Sequence, residues 1–206
     1  WLPGRTGISY NQFFGLDIAP ERKAFYAREP DLAPLLLSRA GYTSAALVNN
    51  LFLQGYHRYG VDVGFDQVVD YRTHVEDTVD ITNDAISFLQ KNKDNKFFLF
   101  LNYNAPHIHY VPPAKYAREV RKMNPRLGAK TSAYLGEVRY TDAEVGRLLA
   151  KLDELGLAKD TLVVLTADHG EIHDPKHSYR VQRTGRVSLY SHAVTLYDEE
   201  VRVPLV

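Results

Sequence analysis

The 206-residue sequence contains no cysteine, a single methionine and a single tryptophan. Without thiols these residues hold no disulfide, no thiolate zinc site and no cysteine nucleophile, and cysteine usage leaves the compartment open. An excess of either charge is also missing, because 25 Lys and Arg stand against 25 Asp and Glu. That balance argues against a general nucleic-acid or anionic-membrane surface while permitting local clusters. No apolar run reaches the roughly 18 residues of a membrane-spanning helix, and no signal-like start is visible. Trp1 begins without a lead-in and Val206 stops within what reads as a strand, so the sequence reads as cut at both ends. What is present, 45% hydrophobic and 24% charged residues, is enough for one sizeable core. A single domain over residues 1–206 is the expectation.

The order of elements is an α/β alternation. An acidic start at Asp31 and a stop at Gly41 frame a short helix, and residues 42–48 follow as a strand. Residues 49–71 read as a loop rich in glycine and aromatics. A helix is expected over residues 75–91 with Val79, Ala85, Ile86 and Leu89 inward, then a buried strand over residues 97–103. The longest helix, residues 132–155, carries a stripe of Leu135, Val138, Val145, Leu148, Leu149, Leu152 and Leu155 and closes at Gly156. Residues 161–167 form a continuous apolar run, the pattern of a parallel strand buried on both faces. Strands alternating with helices imply a mostly parallel sheet sandwiched by helices.

Chemistry concentrates where such strands end, since α/β proteins bind ligands beyond the carboxyl ends of their strands. Asp168 and His169 directly follow the apolar run, with Gly170 allowing a sharp turn. An oxygen and a nitrogen converging there suit a divalent cation; a surface Asp-His turn is the plainer alternative. His107 and His109, at i and i+2 after the strand over residues 97–103, sit among Pro106, Pro112 and Pro113. Paired imidazoles there suit an anionic substrate or a leaving oxygen, and a rigid proline turn bearing surface histidines is the alternative. Residues 172–191 are polar and basic, with His173, Lys176, His177, Arg180, Arg183 and Arg186. They read either as a lid over an anionic substrate or as a solvated loop.

Six segments in order carry a resemblance: Leu32 to Thr43, Gly64-Phe-Asp66, Asn104-Ala-Pro-His-x-His-Tyr-x-Pro-Pro113, Tyr140-x-Asp-x-x-Val-Gly146, Thr166-Ala-Asp-His-Gly-Glu171 and Leu196-Tyr-Asp-Glu-Glu-x-Arg-Val-Pro-Leu205. This series resembles the sulfatase family of the alkaline-phosphatase superfamily, and residues 2–8 resemble the turn that follows that family's nucleophile. The resemblance implies an α/β fold of that type, here the later part of a catalytic domain. It also implies hydrolysis of a small-molecule or glycan sulfate ester. Asp168 and His169 match the family's Asp-Asn or Asp-His metal pair, implying one divalent cation, calcium first, with magnesium, manganese or zinc open because of the histidine. His107 matches the histidine that contacts the sulfate or its leaving oxygen. His109 stands where the family has proline and shares that catalytic role, and His192 matches the Lys or His that binds an ester oxygen. Asp142, interrupting the apolar stripe of the long helix, reads as a buried hydrogen-bonding carboxylate.

One departure is an absence. The family's nucleophile motif, Cys or Ser-x-Pro-x-Arg with the cysteine converted to formylglycine, cannot be read in this sequence, nor can the first metal carboxylates, which lie near the family's N-terminus. In an intact protein the nucleophile would be that formylglycine. A phosphoester or phosphonate hydrolase or a phosphotransferase on the same scaffold, and a non-catalytic anion-binding relative, are the alternatives. The resemblance leans toward a periplasmic or secreted location; it leaves the oligomeric state open.

Overall fold

The computed structural model describes residues 24–25, 27–28, 31–50, 53, 63–71, 77–178, 189–192 and 195–206. The turn expected at residues 2–8, most of the loop from Asn49, the start of the helix expected from Val75, and Arg180, Arg183 and Arg186 of the lid lie outside the described residues. The chain forms two compact units, residues 1–103 and 104–206.

The first unit holds a parallel sheet. Helix α1 (Ala33–Arg39) begins with Pro34 in its first turn and stops at Gly41, whose φ of 80° reverses the chain. Only glycine adopts that conformation without strain, so the stop is legible locally. Strand β1 (Thr43–Val48) follows and is the centre of the order β2-β1-β3, with β2 spanning Gln67–Asp70 and β3 Phe97–Asn102. Both pairings are parallel. A central strand must satisfy both edges and both faces, and Ala45, Ala46, Leu47 and Val48 are accordingly buried. Strand β2 lies within the stretch expected to be a loop; four residues with only Val68 and Val69 as a signal are too short to read.

Helix α2 (Asp77–Lys91) packs on this sheet through Thr78, Ile81, Thr82, Ala85, Phe88 and Leu89. The inward face is thus rotated from the expected stripe: Ala85 and Leu89 are on it, whereas Val79 and Ile86 flank it, because two threonines take buried positions. Thr82 Oγ1 satisfies itself on the Thr78 carbonyl at 3.0 Å, and Tyr103 Oη lies 3.0 Å from the same hydroxyl. Gly64, at φ 91°, passes so close to helix α1 that a Cβ would sit 2.8 Å from the Leu35 backbone nitrogen. Two residues on, Asp66 accepts the Ser44 amide at 2.7 Å, tying the entry of β2 to β1.

The second unit is built on a helical hairpin. Helix α3 (Ala114–Met123) was not expected from the sequence, since Val120 is its one buried residue and its surface is charged. Helix α4 (Ala129–Glu154) starts three residues earlier than the apolar stripe indicated and ends at Gly156, φ 71°, with the Leu157 amide donating to the Leu152 carbonyl at 3.0 Å. Its buried row is Ser132, Gly136, Glu137, Tyr140, Glu144 and Leu152. Of the expected stripe only Leu152 is buried, and Val138 and Leu149 are exposed. The small Ser132 and Gly136 win inward places because they admit close packing: a Cβ at Gly136 would meet Pro112 Cγ at 2.8 Å. Asp142 likewise departs from the expected buried carboxylate. It is a surface residue paired with Arg139 at 2.6 Å, the kind of exposed ion pair that contributes about 0–1 kcal/mol. The buried carboxylates of this helix are Glu137 and Glu144.

Residues 161–167 also depart from the expected strand buried on both faces. Their backbone pairs with the chain's end, the Leu165 amide donating to the Val206 carbonyl at 2.9 Å and the reverse bond measuring 3.0 Å. Leu162 and Val164 are 88% and 61% exposed. An apolar run becomes buried on both faces only where neighbouring strands and covering layers exist. Here the described partner is one short antiparallel bridge, Thr166 to Leu205. Among the described residues no helix is long and apolar enough to cross a membrane.

Candidate active site

The Asp168–Gly170 turn is fixed by backbone bonds before any side chain acts. The Gly170 and Glu171 amides donate to the carbonyls of Glu200 and Glu199 at 2.7 and 2.9 Å, Glu200 lying in the short helix α5 (Asp198–Val201). On the next residue, the Ile172 amide donates to Ser191 and its carbonyl accepts from Tyr190. The segment from Gly170 to Ile172 is therefore held from two sides. Asp168 Oδ1 accepts the His169 amide at 3.0 Å, and the Asp168 side chain is otherwise 78% exposed.

Three of the four sequence-derived histidines gather in this unit. The rings of His169 and His192 stack at 3.8 Å between centroids, and His107 meets His192 edge-on at 6.1 Å. His109 is exposed and does not share these ring contacts. The imidazoles are oriented by their Nδ1 atoms: His107 Nδ1 lies 2.7 Å from the Ile108 carbonyl and His169 Nδ1 2.7 Å from the Gly170 carbonyl. A carbonyl only accepts, so both rings carry a proton on Nδ1, and Nε2 is the atom left for chemistry.

Sequence reading missed the carboxylate that joins them. Glu171 is buried; Oε1 accepts His192 Nδ1–H at 2.8 Å and Oε2 accepts the Tyr110 hydroxyl at 2.6 Å. Burial alone would raise its pKa, but the bonds from His192 and Tyr110 and the nearby imidazoles leave it below the ordinary value. His192 is correspondingly raised, first by the hydrogen bond to Glu171. Tyr110 is pushed up by burial and by the same carboxylate. Its ring packs on Tyr134 at 5.4 Å, which in turn lies 4.5 Å from His173, a histidine whose pKa burial lowers. His177 takes a separate partner, Glu199, at 2.9 Å.

The loop that bears His107 is clamped at its far end. Val111 N–H donates to Glu137 Oε1 at 2.5 Å, while Glu137 Oε2 has no partner among the described residues. Burial pushes this carboxyl up to about 7, against the pull of the Val111 amide. Because the folded value lies above the unfolded 4.5, the fold binds a proton that the unfolded chain releases, and stability falls as pH rises from about 4.5 through 7. Glu137→Gln, which keeps an acceptor for Val111, should remove that loss, gaining up to about 3 kcal/mol over the parent at pH 8 and little at pH 4. Urea unfolding at the two pH values checks it, and an equal effect at both would count against an ionisable Glu137.

As metal ligands, Asp168 and His169 offer Oδ2 and Nε2 atoms 3.6 Å apart. With Nδ1 committed to Gly170, the donor set suits a divalent cation, and the pair fits as part of a shell. Among the described residues no group of three or more acidic or imidazole side chains gathers for that purpose.

A parallel sheet flanked by helices in one unit, and an acidic turn with clustered imidazoles in the other, make this an α/β protein with a candidate site at a turn. Solved structures share the fold: the lipoteichoic acid synthase LtaP from Listeria monocytogenes matches with a TM-score of 0.60 at 22% identity, over 84% of this chain and 44% of that one. Ps i-CgsB, solved in complex with k-i-k-neocarrahexaose, matches with a TM-score of 0.58 at 18% identity, over 84% and 46%. The chain belongs to the sulfatase family, whose model matches residues 5–206. Steryl-sulfatase of Mus musculus is 38% identical over 91 residues, 44% of this chain and 13% of that protein. Ulvan-active sulfatase of Formosa agariphila is 30% identical over 139 residues, 60% of this chain and 25% of that protein. The chain therefore spans a quarter or less of the length of these two relatives.

Proposed function

We propose that the intact protein hydrolyses sulfate esters, of a small molecule or a glycan, at the cluster of His107, His169 and His192. The observation that carries this reading is the convergence of these three imidazoles beside Asp168 in a member of the sulfatase family. Asp168 Oδ2 and His169 Nε2 would hold a divalent cation, calcium or another of the ions named above, which supplies Lewis-acid polarisation of an ester oxygen. The nucleophile of this reading is a formylglycine that the intact protein would carry, since the present sequence has no cysteine.

The chain's own residues supply orientation and proton handling. His192, its Nδ1–H donated to Glu171, is stabilised as an imidazolium, so that Nε2–H faces an anionic oxygen as a charged donor. His107, with Nδ1–H on Ile108, presents Nε2 to the site, and in its imidazolium form Nε2–H suits protonation of the leaving alcohol. Exposed His109 is the alternative donor. Positioned proton transfer and charged donors each contribute about 10²–10⁴-fold.

The test is steady-state hydrolysis of an aryl sulfate and the matching aryl phosphate by the full-length protein and its His107→Ala and His192→Ala variants. Each variant is expected to lose at least about 100-fold in kcat/KM on the sulfate. Preference for the phosphate would replace this reading with a phosphoester hydrolase, which His169 in place of asparagine also accommodates. No turnover of either ester would favour a non-catalytic relative.

A further inference from the structure

Glu171 stabilises the His192 imidazolium through one oxygen, yet both of its oxygens are committed. One takes His192 Nδ1–H and the other the Tyr110 hydroxyl, the two partners lying 21 and 61 residues away in sequence. Tyr110 belongs to the loop that bears His107 and His109; Glu171 itself lies three residues after Asp168. Its backbone is immobilised on both sides, by Glu199 on its own amide and by the paired Ile172 beyond it. A buried carboxylate so placed couples the three segments that carry every candidate residue of this site. We propose that Glu171 is a positioning residue: by accepting from His192 and Tyr110 at once, it sets His192 Nε2 and the His107 loop at a fixed separation around the sulfuryl group.

The proposal rests on the reading that His192 binds the ester. Three physical points support it. A carboxylate accepting from Nδ1 fixes both the tautomer and the tilt of an imidazole, which governs where Nε2 points. Ring orientation is otherwise weakly determined, because the stack of His192 on His169 at 3.8 Å leaves in-plane rotation open. The second oxygen is bound to a tyrosine whose ring packs against Tyr134, so the carboxylate cannot swing without losing both bonds at once. Misplacement by about 1 Å at a site of this kind costs on the order of 100-fold in rate.

A double-mutant cycle on the full-length protein tests it, with kcat and KM on an aryl sulfate, inhibition by inorganic sulfate, and melting temperature read for each variant. Glu171→Gln is expected to lower kcat/KM about 30- to 100-fold, with most of the loss in kcat, and Tyr110→Phe about tenfold. In a His192→Ala background, Glu171→Gln should add less than about threefold, since the separation that Glu171 sets no longer has His192 at one end. Glu171→Asp, which keeps the charge but shortens the reach, should restore less than half of the lost activity. Should Glu171→Gln fail to fold, Tyr110→Phe carries the same cycle. Losses that multiply in the double variant, or a fall in melting temperature with kcat unchanged, would overturn the positioning role. A His192→Ala variant with the parent's kcat/KM would instead overturn the underlying reading of His192, and Glu171→Gln would then be expected to have no effect on kcat either.

Discussion

Replacing Gly170 by alanine is expected to destabilise the protein by about 3 kcal/mol or more, at the upper end of what overpacking costs. A Cβ at this position would stand 2.0 Å from the Glu199 carbonyl oxygen and 3.0 Å from its carbon. The obstacle is backbone, which cannot rotate aside as a long side chain can. The Gly170 amide also donates to the Glu200 carbonyl at 2.7 Å, so separating the segments to admit a methyl group breaks that bond and loosens the Glu171 amide beside it. The requirement is one of closeness, not of φ. Gly146 provides the contrast: it lies within α4 with open space around it, and Gly146→Ala should stabilise by up to about 1 kcal/mol through helix propensity. In a protein of this size the two changes should move the melting temperature in opposite directions, by roughly 10 °C downward for Gly170 and a few degrees upward for Gly146. A Gly170→Ala protein that melts with the parent would mean that the 170–171 and 199–200 segments are not held as closely as described.

Asp168→Ala should show the opposite profile, a loss of metal and activity with the apo fold intact. The side chain is 78% exposed and its described hydrogen bond runs to the adjacent amide, so truncation strands no buried partner. Stability without metal should change by less than about 0.5 kcal/mol. The proposed ion would lose an anionic ligand and keep a neutral imidazole, and affinity should fall at least about 100-fold with activity following it. Elemental analysis and melting with and without added calcium would be read on the full-length protein. An Asp168→Ala variant that retains the parent's metal content would remove Asp168 from the shell. A strongly lowered apo melting temperature would assign it a structural role instead.

Much of the fold is readable because its signals are local. Gly41 and Gly156 mark helix ends by conformations that other residues avoid, and β1 is an unbroken small and apolar run. The Asp-His-Gly turn and the histidine loop were singled out for the same reason: each is one continuous stretch of unusual residues. The misreadings have a shared origin. On α4 the apolar stripe predicts an inward face, yet packing against Pro112 and Ala117 selects Gly136 and brings Glu137 with it, while Asp142 is turned to solvent. Periodicity states that a helix has faces; which face is covered depends on the partner's shape.

By itself the sequence determined the α/β alternation, the helix stops, the family and the two histidine-bearing segments, since each depends on residues within a few positions of one another or on motifs kept in order. Tertiary structure alone decided that His107, His169 and His192 meet while His109 stays exposed. It also decided that Glu171 and Glu137 are among the buried carboxylates, and that residues 161–167 present apolar side chains outward. These facts depend on pairings across 21 to 61 positions, such as Glu171 with His192 and Tyr110, and on which surfaces find a neighbour. Burial and hydrogen-bond satisfaction are properties of the packed chain, so no local pattern of residues encodes them.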